Sequence, residues 1–230
     1  MQSIIPIATI RTGFPTKFGI PRQSGLVPEL NGTIIFNPEF RNADALRGLE
    51  GFSHIWLIWE FSDSVREQWS PTVRPPRLGG NTRLGVFATR SPFRPNPIGL
   101  SCVKLERIEL SSPHGPILYV SGVDLMDGTP IYDIKPYIPY TDCQPDATSG
   151  FTGNVSMRKL DVIIPHEFET KIKPETLNAL RGILAQDPRP RYQNDTDREY
   201  GFDFDGYAVR FKVPAPDTLT VTDIKRNKKT

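Results

Sequence analysis

Five arginines, Arg74, Arg77, Arg83, Arg90 and Arg94, stand between Val73 and Pro95 with no acidic residue among them. A guanidinium presents a planar fork of donors that matches the oxygens of phosphate and carboxylate. Pro and Gly surround these arginines, so they belong to loops rather than to long backbone ladders. Phe87 and Phe93 interleave with them and offer faces on which bases stack. The chemistry these types support is binding of RNA or of a nucleotide-like cofactor. The competing use of such arginines is structural, knitting loops through their own carbonyls or through distant acids. Two further stretches are equally dense. FGIPRQSG, residues 18–25, puts Arg22 and Gln23 on a Pro/Gly loop, and DLMDGTPIYDIKPY, residues 124–137, carries Asp127 and Asp133 around an Asp-Gly turn. A Gly-x-Gly-x-x-Gly run opening a helix is absent, and so is a Walker loop, so a nucleotide-like ligand is expected on loops at a barrel rim.

These loops need a scaffold. Strand patterns rich in Ile, Val, Thr and aromatics fall at residues 3–10, 33–36, 52–61, 85–89, 100–110 and 117–125. FSHIWLIWEF, residues 52–61, is apolar or aromatic on both alternating faces, which predicts a strand buried on both sides. Residues 44–49 are the one short helix expected in this half. The pattern predicts a mainly β N-terminal barrel. Residues 144–154 are turn-rich and uncharged apart from Asp146, and read as a linker. Beyond it come an amphipathic helix at 174–184, a hairpin turning at Asp205-Gly206, and a strand at 219–224. The expected division is a barrel over residues 1–145 and a small α+β C-terminal domain over 155–230.

The chain has 230 residues, 37% apolar and 23% charged, with a formal charge of +2, which excludes disorder throughout. Its 23 prolines and 18 glycines argue against a helical bundle. No apolar run reaches the roughly 18–20 residues that span a bilayer, and no charged n-region precedes an apolar stretch at the start. The expectation is a soluble, cytoplasmic protein. Cys102 and Cys143 lie in unrelated contexts and are expected reduced and packed as small hydrophobes. His54, His114 and His166 show no metal-ligand spacing, so no metal is expected.

The runs GFSHIWLIWEF (51–61), VRPPRLGGNTRLGVFATRSPFRPNPIGLS (73–101) and DLMDGTPIYDIKPYIPY (124–140) resemble the TsaA-like family. The resemblance continues through LAQDPRPRY (184–192) into the final hairpin. It implies a barrel that binds S-adenosylmethionine, a homodimer, and a C-terminal domain that helps hold tRNA. The implied reaction is methylation of N6 of the threonylcarbamoyladenosine beside the anticodon. By motif matching, the methyl donor would meet Pro21, Arg22, Gln23, Arg90, Leu100, Asp127, Gly128, Thr129 and Pro130. A further family contact follows the WLIWEF-type strand, where a His is common; here Ser62 and Asp63 stand instead. Arg74, Arg77, Arg83 and Arg94 are then left for the tRNA backbone. The accepting N6 is a urea-type nitrogen with a delocalised lone pair, so its attack calls for a base. Asp133, Tyr137 and His54 are the candidates, although an Asp after a turn also serves as a local cap and His54 as a hydrogen-bonded core residue. Two other readings fit the same residues: a non-catalytic RNA-binding adaptor, and a small-molecule methyltransferase of the same fold.

Overall fold

The structure, a computed structural model, describes residues 4–75, 78, 82–153, 159–190 and 195–227. The N-terminal half contains β1 (Ala8–Thr12), β2 (Asn31–Phe36), β3 (His54–Glu60), β4 (Thr72–Val73), β5 (Leu84–Gly85), β6 (Ile98–Glu109), β7 (Ile117–Ser121) and β8 (Pro130–Pro136). Six of these close into a barrel in the order β1-β2-β7-β6-β3-β8. All its pairings are antiparallel. Alternation decides which side chains fill it: Ile10, Ile34, Ile55, Leu57, Leu118 and Ile131 are wholly buried. Full burial of each such side chain favours folding by about 1.5–3 kcal/mol.

Strand β3 corrects one expectation. Only Ile55, Leu57 and Trp59 are buried, while His54, Trp56, Ile58 and Glu60 are half-buried on the outer surface. Its two apolar faces do not mean two covered faces, because aromatic outer residues shelter one another instead: Trp56 lies 5.8 Å from the Tyr137 ring. Trp59 explains a glycine opposite it in register. A Cβ on Gly99 would stand 2.2 Å from the indole, so only glycine lets the ring cross β6.

The strand expected at 85–89 shortens to β5 followed by a 3-10 turn, Val86–Ala88, and the helix expected at 44–49 is a pair of 3-10 turns, Ala43–Leu46 and Leu49–Gly51. Strand β8 was hidden by its Asp-Gly turn and its two prolines, which sit at the strand's ends, where a missing donor is tolerated. Cys143 is exposed rather than packed, and both cysteines are free.

After the short helices α1 (Pro139–Asp142) and α2 (His166–Glu169), helix α3 (Pro174–Ala185) starts on proline and buries Ala179, Leu180, Ile183 and Leu184. It accompanies a sheet of β9 (Asp161–Ile163), β10 (Tyr200–Phe204), β11 (Tyr207–Ala215) and β12 (Thr218–Arg226), ordered β10-β11-β12-β9. The β10–β11 turn uses Asp205 at φ 49° and Gly206 at φ 79°, the pair of positive angles that a two-residue hairpin needs. This sheet packs on the barrel's first loop: Phe14 and Phe204 rings lie 4.9 Å apart, and Phe18 and Phe202 rings 6.2 Å. One continuous apolar core therefore runs through both halves. No helix among the described residues is long and apolar enough to cross a membrane.

Candidate functional site

At the end of the barrel where β3 finishes and β6 begins, the loops enclose a cleft of about 1690 Å³. Four chain segments wall it: the loop holding Pro21–Gln23, the stretch from the end of β3 to the start of β6, residues 124–129 after β7, and residues 148–152 of the expected linker. The linker is thus part of the site as well as a connection. A single small-molecule site usually occupies about 300–1,000 Å³, so the cleft has room for two ligands side by side.

Several predicted binding residues converge here. Pro21, Arg22, Gln23, Ser62, Asp63, Arg90, Leu100 and Thr129 all line the cleft. Arg90 donates to the Gln23 side-chain oxygen, which ties two of the motif-bearing loops across the opening. Leu100 is 56% exposed at the lip. The rest of the Asp-Gly turn is occupied locally. Asp127 accepts the Thr12 amide at 3.0 Å and pairs with Arg11 at 3.2 Å. The Gly128 amide reaches the Ile10 carbonyl at 2.9 Å, and Pro130 pairs with Thr9 in register. Asp127, Gly128 and Pro130 therefore brace β1 against β8, while Thr129 alone of the four faces the cleft.

The arginines divide. Arg74, Arg83 and Arg94 line the cleft, but Arg94 donates to the Thr89 and Ser91 carbonyls at 3.1 and 3.4 Å, and Arg83 to the Thr72 hydroxyl at 3.0 Å. Arg77 lies outside the described residues. Arg66, which the sequence did not single out, stacks on Phe93 at 3.8 Å. Phe87, 72% exposed, lies 6.1 Å from the exposed Trp69. Among the described residues none of Arg66, Arg74, Arg83, Arg90 and Arg94 pairs with a carboxylate, so this wall keeps its positive charge for an anion.

The three expected bases are elsewhere. His54 and Tyr137 sit at the opposite end of β3, six residues and therefore about 20 Å from Glu60. Asp133 lies opposite Ile58 on the outer surface, pairs with Lys135 at 3.0 Å and accepts its neighbour Ile134's amide at 2.9 Å. None of the three lines the cleft. The structure instead supplies Asp124, which the sequence motifs passed over. It lies in the connection after β7 and lines the cleft floor. Its carboxylate accepts the Ser101 hydroxyl at 2.6 Å, and Ser101 in turn accepts the Trp59 indole N–H at 3.0 Å. Burial pushes its pKa up to about 6, against hydrogen bonds from Ser101 and the Asp124 and Ser24 amides and the charge of Arg90, all of which pull it down. No cluster of metal-ligating residues occurs among the described residues.

The site therefore combines arginines whose charge no carboxylate pairs among the described residues (Arg66, Arg74, Arg83, Arg90 and Arg94), an apolar lip and a buried carboxylate whose pKa is pushed up to about 6. Residues 9–143 match the family of the tRNA-methyltransferase O N-terminal domain, and residues 157–227 match the TrmO C-terminal domain. The chain is 42% identical over 215 residues to the tRNA (adenine(37)-N6)-methyltransferase of Escherichia coli, covering 90% of this chain and 91% of that protein. It is 42% identical over 230 residues to a Pseudomonas aeruginosa protein named a putative S-adenosylmethionine-dependent methyltransferase, covering 97% of each. Its fold superimposes on a crystal structure of TrmO from Pseudomonas aeruginosa with a TM-score of 0.78 at 36% identity, over 98% of this chain and 99% of that one. With both family domains matched along its length, the chain belongs to the TrmO family.

Proposed function

We propose that this protein transfers a methyl group from S-adenosylmethionine to N6 of the threonylcarbamoyladenosine at position 37 of tRNA. The observation that carries the reading is the cleft: one wall of arginines, Arg66, Arg74, Arg83, Arg90 and Arg94, that pair with no carboxylate among the described residues, a buried acid on the floor, and a volume beyond what the cofactor alone fills. Its lining suits the donor's three chemical parts. Arg22, Gln23 and Arg90 are the cation and amide donors that an α-carboxylate calls for, Pro21 and Leu100 the apolar surfaces for an adenine, and Asp63 the acid that tolerates a neighbouring positive charge. Bound there, the cofactor supplies an electrophilic methyl group. The protein's part is to hold donor and acceptor in line, to keep water from the reacting atoms and to receive the proton that the nitrogen loses.

Arg74 and Arg83, with Arg66, would meet tRNA phosphates along the same wall, with Phe87 and Trp69 presenting faces to unstacked bases. A homodimer, as the family resemblance implies, is part of the proposal. The cytoplasm, where tRNA is modified, is the expected compartment. The adaptor and small-molecule alternatives gain nothing from a cleft that keeps both a donor-type pocket and a basic wall. The test offers tRNA carrying either threonylcarbamoyladenosine or plain adenosine at position 37, with isotopically labelled cofactor. Label confined to the modified tRNA is the expected result; equal labelling of plain adenosine would refute the substrate assignment.

A further inference from the structure

We propose that Asp124 is the proton acceptor of the methyl transfer, a role that rests on the methyltransferase reading above and fills the position it leaves open. Three carboxylates line the cleft: Glu60, Asp63 and Asp124. Asp63 is exposed, and Glu60 accepts the Tyr132 hydroxyl on the outer surface. Asp124 alone is held by a relay of buried groups: Trp59 donates to Ser101, which is 1% exposed, and Ser101 donates to one carboxylate oxygen. Gly99 is what lets the Trp59 ring lie where this relay begins. An acid fixed this way presents its lone pairs in one direction and pays little reorganisation when it binds a proton.

The electron bookkeeping closes without any further reagent. The N6–H proton passes to a carboxylate oxygen of Asp124, the freed nitrogen lone pair forms the bond to the methyl carbon, and the carbon–sulfur pair stays with sulfur. The sulfonium's positive charge is cancelled, and the proton on Asp124 leaves to water. The other charged groups lining the cleft are Lys17, Arg22 and Arg90, the wall arginines Arg66, Arg74, Arg83 and Arg94, and the acids Glu60 and Asp63. Of these, Arg90 acts on Asp124 and favours its ionised form, while burial opposes it and prevails. The balance leaves the acid near pH 6, ionised at neutral pH yet basic enough to accept a proton.

The competing role is purely structural, an anchor for the Ser24 amide. Asp124→Asn keeps an oxygen for that amide but cannot take up a proton. In steady-state and single-turnover assays on threonylcarbamoyl-modified tRNA, this variant is expected to lose about 100-fold or more in kcat, with cofactor and tRNA Kd changed by less than about three-fold. The wild-type kcat should rise with pH to a plateau with a midpoint near 6, and the residual rate of Asp124→Asn should lack that limb. Ser101→Ala removes a donor that favours the ionised form, so its limb should move to higher pH. A readout independent of turnover is the 13C carboxyl titration of the cofactor-free protein, expected to show one aspartate with a midpoint near 6 that disappears in Asp124→Asn. Activity within three-fold of wild type, an acidic limb that survives in Asp124→Asn, or a titration of Asp124 in the ordinary carboxylate range would each overturn the proposal. A wild type that turns over normally confines such a failure to Asp124, whereas a wild type that methylates no tRNA defeats the function reading together with it.

Discussion

Strand β3 ends in a tryptophan–aspartate pairing at both extremities, and the two have opposite characters. At its start Trp56 donates directly to Asp142 at 2.9 Å, beside Tyr137 and His54. The Ile138 amide and then the Trp56 N–H hold that carboxyl below its usual range, on the outside of the barrel. At its end Trp59 reaches Asp124 through Ser101, and burial raises that acid to about 6. The residue types nearly match; the environment differs. An exposed acid with good donors is a permanently charged structural group, whereas a buried one at the floor of a cleft can exchange a proton in the working pH range.

If that contrast is the right one, the largest effect comes from the two Asn substitutions. Asp124→Asn should cost about 100-fold in kcat and Asp142→Asn less than three-fold; comparable losses would erase the distinction between the two ends. Next is the salt response of the arginine wall. Neutralising three to four phosphates gives a slope of roughly −2 to −3 in log affinity against log salt, so tRNA binding should weaken roughly 15- to 60-fold between 50 and 200 mM salt while cofactor binding barely changes. Filter binding and calorimetry at both salts measure the two.

Smaller effects bear on stability. Gly99→Ala should destabilise the protein by about 1–3 kcal/mol by forcing the Trp59 ring aside, and denaturant melts would show it. Asp124 itself should weaken the fold at neutral pH. Its folded pKa of about 6 lies above the unfolded 3.8, so the folded chain holds the extra proton between these values. The stability it contributes is complete below pH about 3.8 and lost as pH rises through about 6. Each pKa unit corresponds to about 1.4 kcal/mol, and since water still reaches the cleft, Asp124→Asn should gain about 1–2 kcal/mol at pH 7.5 and much less at pH 4. A variant that is more stable and less active separates a working acid from a structural one; a destabilised Asp124→Asn would break that half of the comparison.

The barrel was legible in the sequence because runs of β-branched and aromatic residues such as HIWLIWE are local strand signals, and the C-terminal sheet because the Asp205-Gly206 turn fixes a hairpin. The Pro21–Gln23 and Arg90 loops were legible as dense runs, and their junction in the Gln23–Arg90 bond is consistent with a shared site. What the sequence hid depends on closure. Nothing in DLMDGTP distinguishes Asp124, which enters the cleft, from Asp127, three residues on, which braces Thr12 and Arg11. That choice is made by the turn's hydrogen bonds to β1, which no spacing rule encodes. His54, Tyr137 and Asp133 have the right chemistry, but the direction and pleat of β3 and β8 carry them to the far end and the outer face. Strand β9 pairs in parallel with β12, more than fifty residues away, so its three residues carried no local signal.

The most direct test of the account is a calorimetric titration of S-adenosylmethionine into the wild-type protein and into Arg90→Ala and Asp142→Asn. The cleft reading predicts micromolar binding, weakened by about 1.5–3 kcal/mol, the cost of a lost charged hydrogen bond, in Arg90→Ala and unchanged in Asp142→Asn. Equal binding by all three proteins, or loss only in Asp142→Asn, would place the cofactor away from the cleft and contradict the account.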